Sequence, residues 1–384
     1  MTPWTLPQRT GFRFLFAYLA LYTTALGGLS GWVVPWMGAH VLGMTVKPAM
    51  NGSGDTLFDW VRAFCVLVLA ILATLVWSFL DRTRPHYRAL HGYLRAWLRY
   101  GLGTALIVYG MAKVTQSQFP HPSVDRLIQT YGESSPMGLL WTFMGFSAGY
   151  NLFAGLAETV PGVLLFFRRT SLLGALLGAA ALANVVALNF SFDVPVKIFS
   201  THLLLIALVI AAPDLPRLAG LFLLEPPAPP ALARPRLVRA WQFAKVGLLA
   251  LLIGFLGYFA RQQRSLDAAG GERAFQGFYR VEEFHGNLEE RWSEAVFTGG
   301  RLLIRHAGGA AHPYQWEASE RELTLIDGYA RRYVLATRQP QPDTLEIKGN
   351  LSGAPLEVVL RKRAGGFLLE ERGFHWVNEM PFNR

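Results

Sequence analysis

Residues Tyr150 to His202 read YNLFAGLAETVPGVLLFFRRTSLLGALLGAAALANVVALNFSFDVPVKIFSTH. The segment holds two runs of membrane-spanning length, hinged at Arg168 and Arg169, and the first carries a lone carboxylate, Glu158, near its middle. An ionisable group at bilayer depth costs about 2.5–3.5 kcal/mol on insertion scales, so its presence is a functional-site hypothesis in its own right. Pro161 follows three residues later and frees a backbone carbonyl within the same helix, which favours a cavity over a uniformly packed core.

Working outward, the whole chain of 384 residues is 52% hydrophobic and only 16% charged. This reads as a polytopic α-helical membrane protein rather than a soluble enzyme. A hydrocarbon layer of about 30 Å needs roughly 17 to 25 apolar residues to cross. Seven runs meet that length, near Phe14 to Val34, Leu57 to Leu80, Trp97 to Val114, Ser147 to Phe167, Ser171 to Phe190, Val196 to Ala212 and Phe243 to Phe259. The first, preceded by Arg9 and Arg13, also reads as a cleaved signal peptide.

The net charge of +10 is unevenly placed: residues 1–262 carry a net +11 and residues 263–384 a net −1. The excess belongs to membrane loops, so the bilayer and not nucleic acid is the expected partner. Cations gather at Arg9 and Arg13, at Arg82 to Arg99, at Arg168 and Arg169, and at Arg217 to Arg239. Loops rich in Lys and Arg stay cytoplasmic. The expectation is a bacterial inner-membrane protein with a cytoplasmic N-terminus and a periplasmic or extracellular C-terminal domain. The single cysteine, Cys65, excludes an intramolecular disulfide and any CxxC redox pair.

EPPAPPALARPR, from Glu225 to Arg236, marks a Pro-rich linker. After Arg261 the pattern changes to period two. Tyr314, Trp316 and Ala318 alternate with Gln315, Glu317 and Ser319; Leu345 and Ile347 alternate with Thr344, Glu346 and Lys348; Leu356, Val358 and Leu360 alternate with Glu357 and Arg361. Such runs are half-buried strands. Gly and Pro punctuation, including Gly299-Gly300, Asp327-Gly328, Gly349-Asn350 and Gly365-Gly366, predicts eight or nine of them. A small soluble antiparallel barrel is the natural closure, and GFYRVEEF at Gly277 to Phe284 resembles the opening strand of lipocalin-like barrels. Its interior is expected either to be filled by side chains or to hold a ligand. The organisation expected is a helix pair with a cytoplasmic loop in 1–92, a four-helix core in 93–220, the linker and a last span in 221–262, and the barrel in 263–384.

Asn151, Ala154, Gly155, Glu158 and Gly162 share one helix face, which suits close packing around a protonatable group. The competing reading is a protonated Glu158 that holds helices in register. Asp193 precedes Pro195 at a helix start and lies four residues before Lys197, as a capping carboxylate paired with a lysine would. A lone intramembrane histidine such as His202 serves as a haem ligand, a partner for a quinone carbonyl or a proton relay. It is equally satisfied by Asn184, Asn189 or a backbone carbonyl. Tyr109 and Lys113 end the third run, followed by Gln116; such residues also serve as interfacial anchors. Together these groups predict a polar vestibule on the outer side, floored by Glu158.

No HExxH, Gly-rich phosphate loop or GxSxG elbow is present. His285, His306, His312 and His375 are scattered among the strands without metal-ligand spacing. The closing GFHWVNEMPFNR packs the last strand rather than forming a site.

From Gly110-x-x-Lys113, through Glu158-x-x-x-Gly162 with Leu164 and Leu165, then Arg168-Arg169 with the Ala/Gly-rich run after it, to Pro213-Asp214, residues 97–218 resemble the DoxX/DoxD-like family of small four-helix membrane proteins. The resemblance implies an association with quinone-linked membrane redox chemistry and with redox partners in the membrane or periplasm. The family glutamate maps to Glu158 and the outer lysine to Lys113. The earlier runs, the later run and the β-domain depart from the family pattern.

Two functions follow as expectations. In one, the chain takes part in quinone-linked electron transfer, with Glu158 handling protons and His202 and Lys113 contacting the head group, inside an apolar cavity with Tyr109, Asn151, Asn184, Asp193 and Lys197 about it. In the other, it is a non-enzymatic assembly factor or carrier, which requires a hollow barrel and a tightly packed helical core. Proton-coupled transport is a third possibility resting on the one intramembrane acid.

Overall fold

The structure, a computed structural model, describes residues 3–24, 26–48, 52–222, 239–269, 275–287, 290–298, 300–319, 321–364 and 367. The linker from Glu225 to Arg236, His375 and the closing GFHWVNEMPFNR lie outside the described residues. The chain divides into two compact units, Met1–Pro120 with Ser135–Ala260, and His121–Ser134 with Arg261–Arg384.

The first unit is helical. Helix α1 (Leu6–Thr23) opens on a capping box between Thr5 and Gln8. It stops where the Thr23 and Thr24 hydroxyls donate to the carbonyls of Leu19 and Ala20. A 3-10 turn (Leu26–Gly28) follows, then α2 (Ser30–Met37), so the run expected from Phe14 to Val34 is broken in its middle rather than continuous. Helix α3 (Leu57–Leu80) has a Thr56–Asp59 capping box. Then come α4 (Arg88–Val114), the short α5 (Val124–Leu127) of the second unit, α6 (Pro136–Phe146), α7 (Ala148–Phe166), α8 (Ser171–Ser191), α9 (Lys197–Ala211), α10 (Leu215–Phe222) and α11 (Arg239–Ala269).

Among the described residues three stretches are helical, long and apolar enough to cross a membrane: Leu57–Leu80, Ser171–Ser191 and Lys197–Gly220. This corrects the expected seven. Helix α1 carries Arg9 and Arg13; α4 carries Arg88, Arg95, Arg99 and Lys113; α7 is only 19 residues long and dilutes its apolar content with Glu158, Asn151 and glycines; the apolar part of α11, Phe243–Phe259, is short. Their cations are accommodated inside the unit. Arg13 is buried, donating to the Tyr87 hydroxyl and to Ser78. Arg95 pairs with Asp214. Arg99 donates twice to the Leu165 carbonyl, and Lys245 of α11 lies 3.5 Å from the Phe166 carbonyl. The last two cations thus sit at the carbonyl-rich end of α7, where the helix dipole favours them.

Helix α4 packs on α7, α7 on α8, α8 on α9 and α9 on α4, closing a four-helix cluster; α1 and α2 pack on α3 beside it. The α4–α7 contact is made by backbone on backbone. A Cβ added at Gly110 would lie 2.7 Å from the Gly155 carbonyl oxygen, and one at Gly162 would lie 2.9 Å from that of Gly103. The two helices run antiparallel, and each offers glycines seven residues apart to the other. Small residues allow such approach where no hydrophobic driving force exists between helices in lipid.

The second unit is an antiparallel barrel closed by its first and last strands, with neighbours in sequence order. The strands are β1 (Gly277–His285), β2 (Trp292–Thr298), β3 (Arg301–His306), β4 (Ala311–Ala318), β5 (Glu322–Ile326), β6 (Arg332–Gln341), β7 (Thr344–Leu351) and β8 (Ala354–Lys362). Closure leaves no open sheet edge. The expected alternation is present: Trp316, Leu345, Ile347, Val358 and Leu360 point inward and are fully buried. The two-residue turn Ser352-Gly353 has positive φ at both positions, as the hairpin twist demands. Eight strands enclose just enough room for side chains. Here Tyr279, Phe297, Trp316, Leu323 and Leu335 fill it, so the hollow barrel required by the carrier expectation is not formed.

Gly110→Ala forces the α4–α7 backbones apart. It should cost about 1–3 kcal/mol, the usual range for overpacking. Gly101→Ala, where a Cβ meets nothing within 4 Å, should not lower the midpoint. Thermal unfolding of both variants in detergent checks the contrast.

Candidate functional site

The α4–α7 register decides which side chains meet. Lys113 and Glu158 flank the Gly110–Gly155 contact on the two antiparallel helices, one on either side of it, and the close approach of the backbones lets their long side chains reach each other. There the Lys113 Nζ donates to Glu158 Oε2 at 2.9 Å, with both residues buried. The ammonium also lies 5.8 Å from the centre of the Phe119 ring. Asn151, with no exposed surface, donates from Nδ2 to the Phe119 carbonyl at 3.1 Å and so fixes the turn that follows α4. Among the described residues its Oδ1 has no hydrogen-bond partner, nor has Oε1 of Gln118.

A cavity of about 280 Å³ opens beside this pair, walled by α4, α6, α7, α8 and α9. Leu106, Leu140, Met144, Phe153, Leu188 and Phe199 give it a mainly apolar wall, while Tyr109, Lys113, Gln118 and Glu158 are polar. Asn184, Asn189 and Ser200 supply polar atoms from α8 and α9, with Asn189 Nδ2 donating to Ser200 Oγ at 2.9 Å. Pro161 has no N–H to give to the carbonyl of Ala157, a residue of the same wall. Several lining residues lie on the outside of the helical unit: Phe153 is 67% exposed, Tyr109 and Tyr150 41% each. The cavity is therefore reached from the flank of the helices.

Of the residues picked from sequence, Tyr109, Lys113, Glu158 and Asn184 line the cavity, and Asn151 supports it from behind. His202 does not belong to it. Its Nδ1 is 2.7 Å from the Ile198 carbonyl and its Nε2 is 2.7 Å from the Tyr18 hydroxyl. A carbonyl only accepts, so Nδ1 carries a proton, and the neutral ring receives the Tyr18 O–H at Nε2. Tyr22 stacks on the ring at 3.8 Å. Both nitrogens are thus engaged, Nδ1 within α9 and Nε2 toward α1, and neither is left for a haem or a quinone. Of the expected partners a backbone carbonyl, that of Ile198, is the one used, and Asn184 and Asn189 are not.

Asp193 keeps its expected partner but not its expected role as a cap. It pairs with Lys197 at 2.8 Å, but its side chain is 84% exposed. The cap of α9 comes from Asp55, 142 residues earlier: its Oδ2 accepts from the Lys197 N–H at 2.7 Å and its Oδ1 from the Ile198 N–H at 3.0 Å. One sequence signal points there. Thr56 and Asp59 already cap α3, which leaves the adjacent Asp55 a spare acid.

No family model matches the chain, and no solved structure matches it. The chain is 33% identical over 141 residues to the uncharacterized protein YwoB of Bacillus subtilis (strain 168), a match covering 36% of this chain and 88% of that protein. The chain belongs to the YwoB family. YwoB brings no substrate or activity with its name, so the function rests on the geometry above.

Two outcomes follow. Glu158→Gln leaves the Lys113 ammonium buried without a counter-charge and should destabilise by about 3–5 kcal/mol, whereas replacing both residues together, Lys113→Met with Glu158→Leu, should cost far less than the sum of the singles. A double-mutant cycle on unfolding in detergent measures the coupling. Asp55→Ala should cost about 0.5–2 kcal/mol, as loss of a helix cap does, and Asp193→Ala should stay within roughly 0.5 kcal/mol of the parent, as surface changes do. Equal effects at the two aspartates would show that Asp55 is not the cap.

Proposed function

We propose that the helical unit is a membrane-embedded binding site for a lipophilic molecule whose polar head group meets Lys113 and Glu158, a quinone being the class that fits best. The observation that carries this reading is a small cavity, apolar except at the buried Lys113–Glu158 pair, open on the flank of the helices. At about 280 Å³ it is near the low end for ligand pockets. That volume takes a ring-sized head and leaves a tail outside, along the apolar surface near Phe153.

The chemistry of the pair suits a carbonyl that becomes a hydroxyl. Conversion of a quinone to its quinol takes up two electrons and two protons. Lys113 and Glu158 supply a donor and a group able to give or take a proton at the ring oxygen; the electrons come from a redox protein in the membrane or periplasm. The similarity of residues 97–218 to the DoxX/DoxD-like family favours this context, since its glutamate and lysine positions fall on the two paired residues. The basic segments around Arg82 to Arg99 and Arg168-Arg169 favour a bacterial inner-membrane setting with those segments cytoplasmic and the barrel on the periplasmic or extracellular side. A filled barrel makes the helices, rather than the β-domain, the place for a lipophilic ligand.

The test is organic extraction and mass spectrometry of the full-length protein purified in mild detergent. A quinone is expected at near-equimolar level. In the Lys113→Met, Glu158→Leu double variant it should fall about tenfold or more, the size of a lost charge-assisted hydrogen bond. A parent protein carrying only bulk phospholipid overturns the reading.

A further inference from the structure

The rim of the barrel carries a feature that the helical site does not use. On β3 the inward positions are Leu302 and Ile304, both fully buried, and the next position of the same parity is His306. On β4 the inward Trp316 and Tyr314 continue to His312, which pairs in register with Ile304. Two histidines thus occupy, side by side at the mouth, positions that hold apolar side chains deeper in. Their ring centres are 4.9 Å apart, with the planes at 86°.

That separation has a specific chemical meaning. A zinc-like ion sits about 2.0–2.1 Å from an imidazole nitrogen, and the ring centre lies roughly 1.1 Å beyond, so each centre is about 3.2 Å from the ion. Two such rings at a ligand–metal–ligand angle of 90° to 109° have centres about 4.5–5.2 Å apart, for the bond lengths used above. The observed spacing falls inside that interval.

The hydrogen bonding agrees. His306 Nδ1 is 2.8 Å from the Glu290 carbonyl, which fixes the proton on Nδ1 and leaves the Nε2 lone pair free. A ring N–H held by a carbonyl is the usual outer support of a metal-bound histidine. Among the described residues the ring of His312 has no hydrogen-bond partner.

The geometry points to a divalent transition-metal site at the barrel rim, formed by His306 Nε2 and the His312 imidazole, for an ion of the imidazole-preferring class of zinc, copper and nickel. Among the described residues no three or more His, Cys, Asp or Glu side chains gather about one point. Water therefore completes the coordination sphere. This makes an open, exchangeable site rather than a structural one of four protein ligands. It is independent of the quinone reading.

The test uses untagged full-length protein in detergent, titrated with Cu(II) and read by electron paramagnetic resonance, with Zn(II) competing. One equivalent showing coupling to two nitrogens is expected. His312→Ala and His306→Ala should each weaken that equivalent at least about tenfold, the scale on which even an outer-shell partner acts, while His285→Ala leaves it unchanged. Tryptophan fluorescence reports whether each barrel is folded. His312 is exposed, so its variant keeps the test decisive even if His306→Ala unfolds. Copper binding unaltered in His312→Ala, or a signal without two-nitrogen coupling, overturns the assignment.

Discussion

The helical unit depends on the close approach of α4 and α7. Two charged groups can be held away from water only if they meet, and the desolvation of each costs several kcal/mol unless the partner is within hydrogen-bond distance. Gly103, Gly110, Gly155 and Gly162 remove the side chains that would keep the helices apart. Lys113 and Glu158 then meet at 2.9 Å. The cavity lies beside this seam. Between α4, α6, α7, α8 and α9 its wall is made by larger side chains such as Leu106, Met144, Leu188 and Phe199.

The barrel obeys a different constraint. With eight strands its interior has room for one layer of large side chains, and Trp316, Phe297 and Tyr279 take it. Function in this unit is thereby confined to surfaces and rims. Segment His121–Ser134, although it lies between α4 and α6 in sequence, clusters with the barrel. There Arg305 of β3 donates to the Ile128 carbonyl and pairs with Glu133. The Glu133 carboxyl is held below its ordinary range, chiefly by hydrogen bonds from Thr130 and further by Arg305.

What could be read in advance follows from the range over which each signal acts. Period-two alternation and the turn glycines are local, so the barrel and its strand positions were legible; so were α3 and α8, whose ends fall within a residue of the apolar runs. The choice of Glu158, and of Lys113 as a polar neighbour, came from residue chemistry alone. Their pairing did not, because 45 residues separate them and only the glycine register aligns them. Range separates the outcomes at His202 and Asp193 too. The local partners, the Ile198 carbonyl and Lys197, were legible, whereas Tyr18 lies 184 residues from His202 and the cap expected of Asp193 is supplied across 142. His306 and His312 looked unrelated until strand register showed that a diagonal across a hairpin makes them neighbours.

The reach of Asp55 bears on how the chain could have been assembled. Helix α9 closes the four-helix cluster, yet the anion facing its positive end belongs to the turn before α3, outside that cluster. Lys197 is shared between this acid and the exposed Asp193. A chain begun after α3 would present two unpaired amide donors and a lysine at the start of α9. The N-terminal helices are in this way part of the electrostatics of the four-helix cluster, which takes the carboxylate at the start of α9 from outside itself.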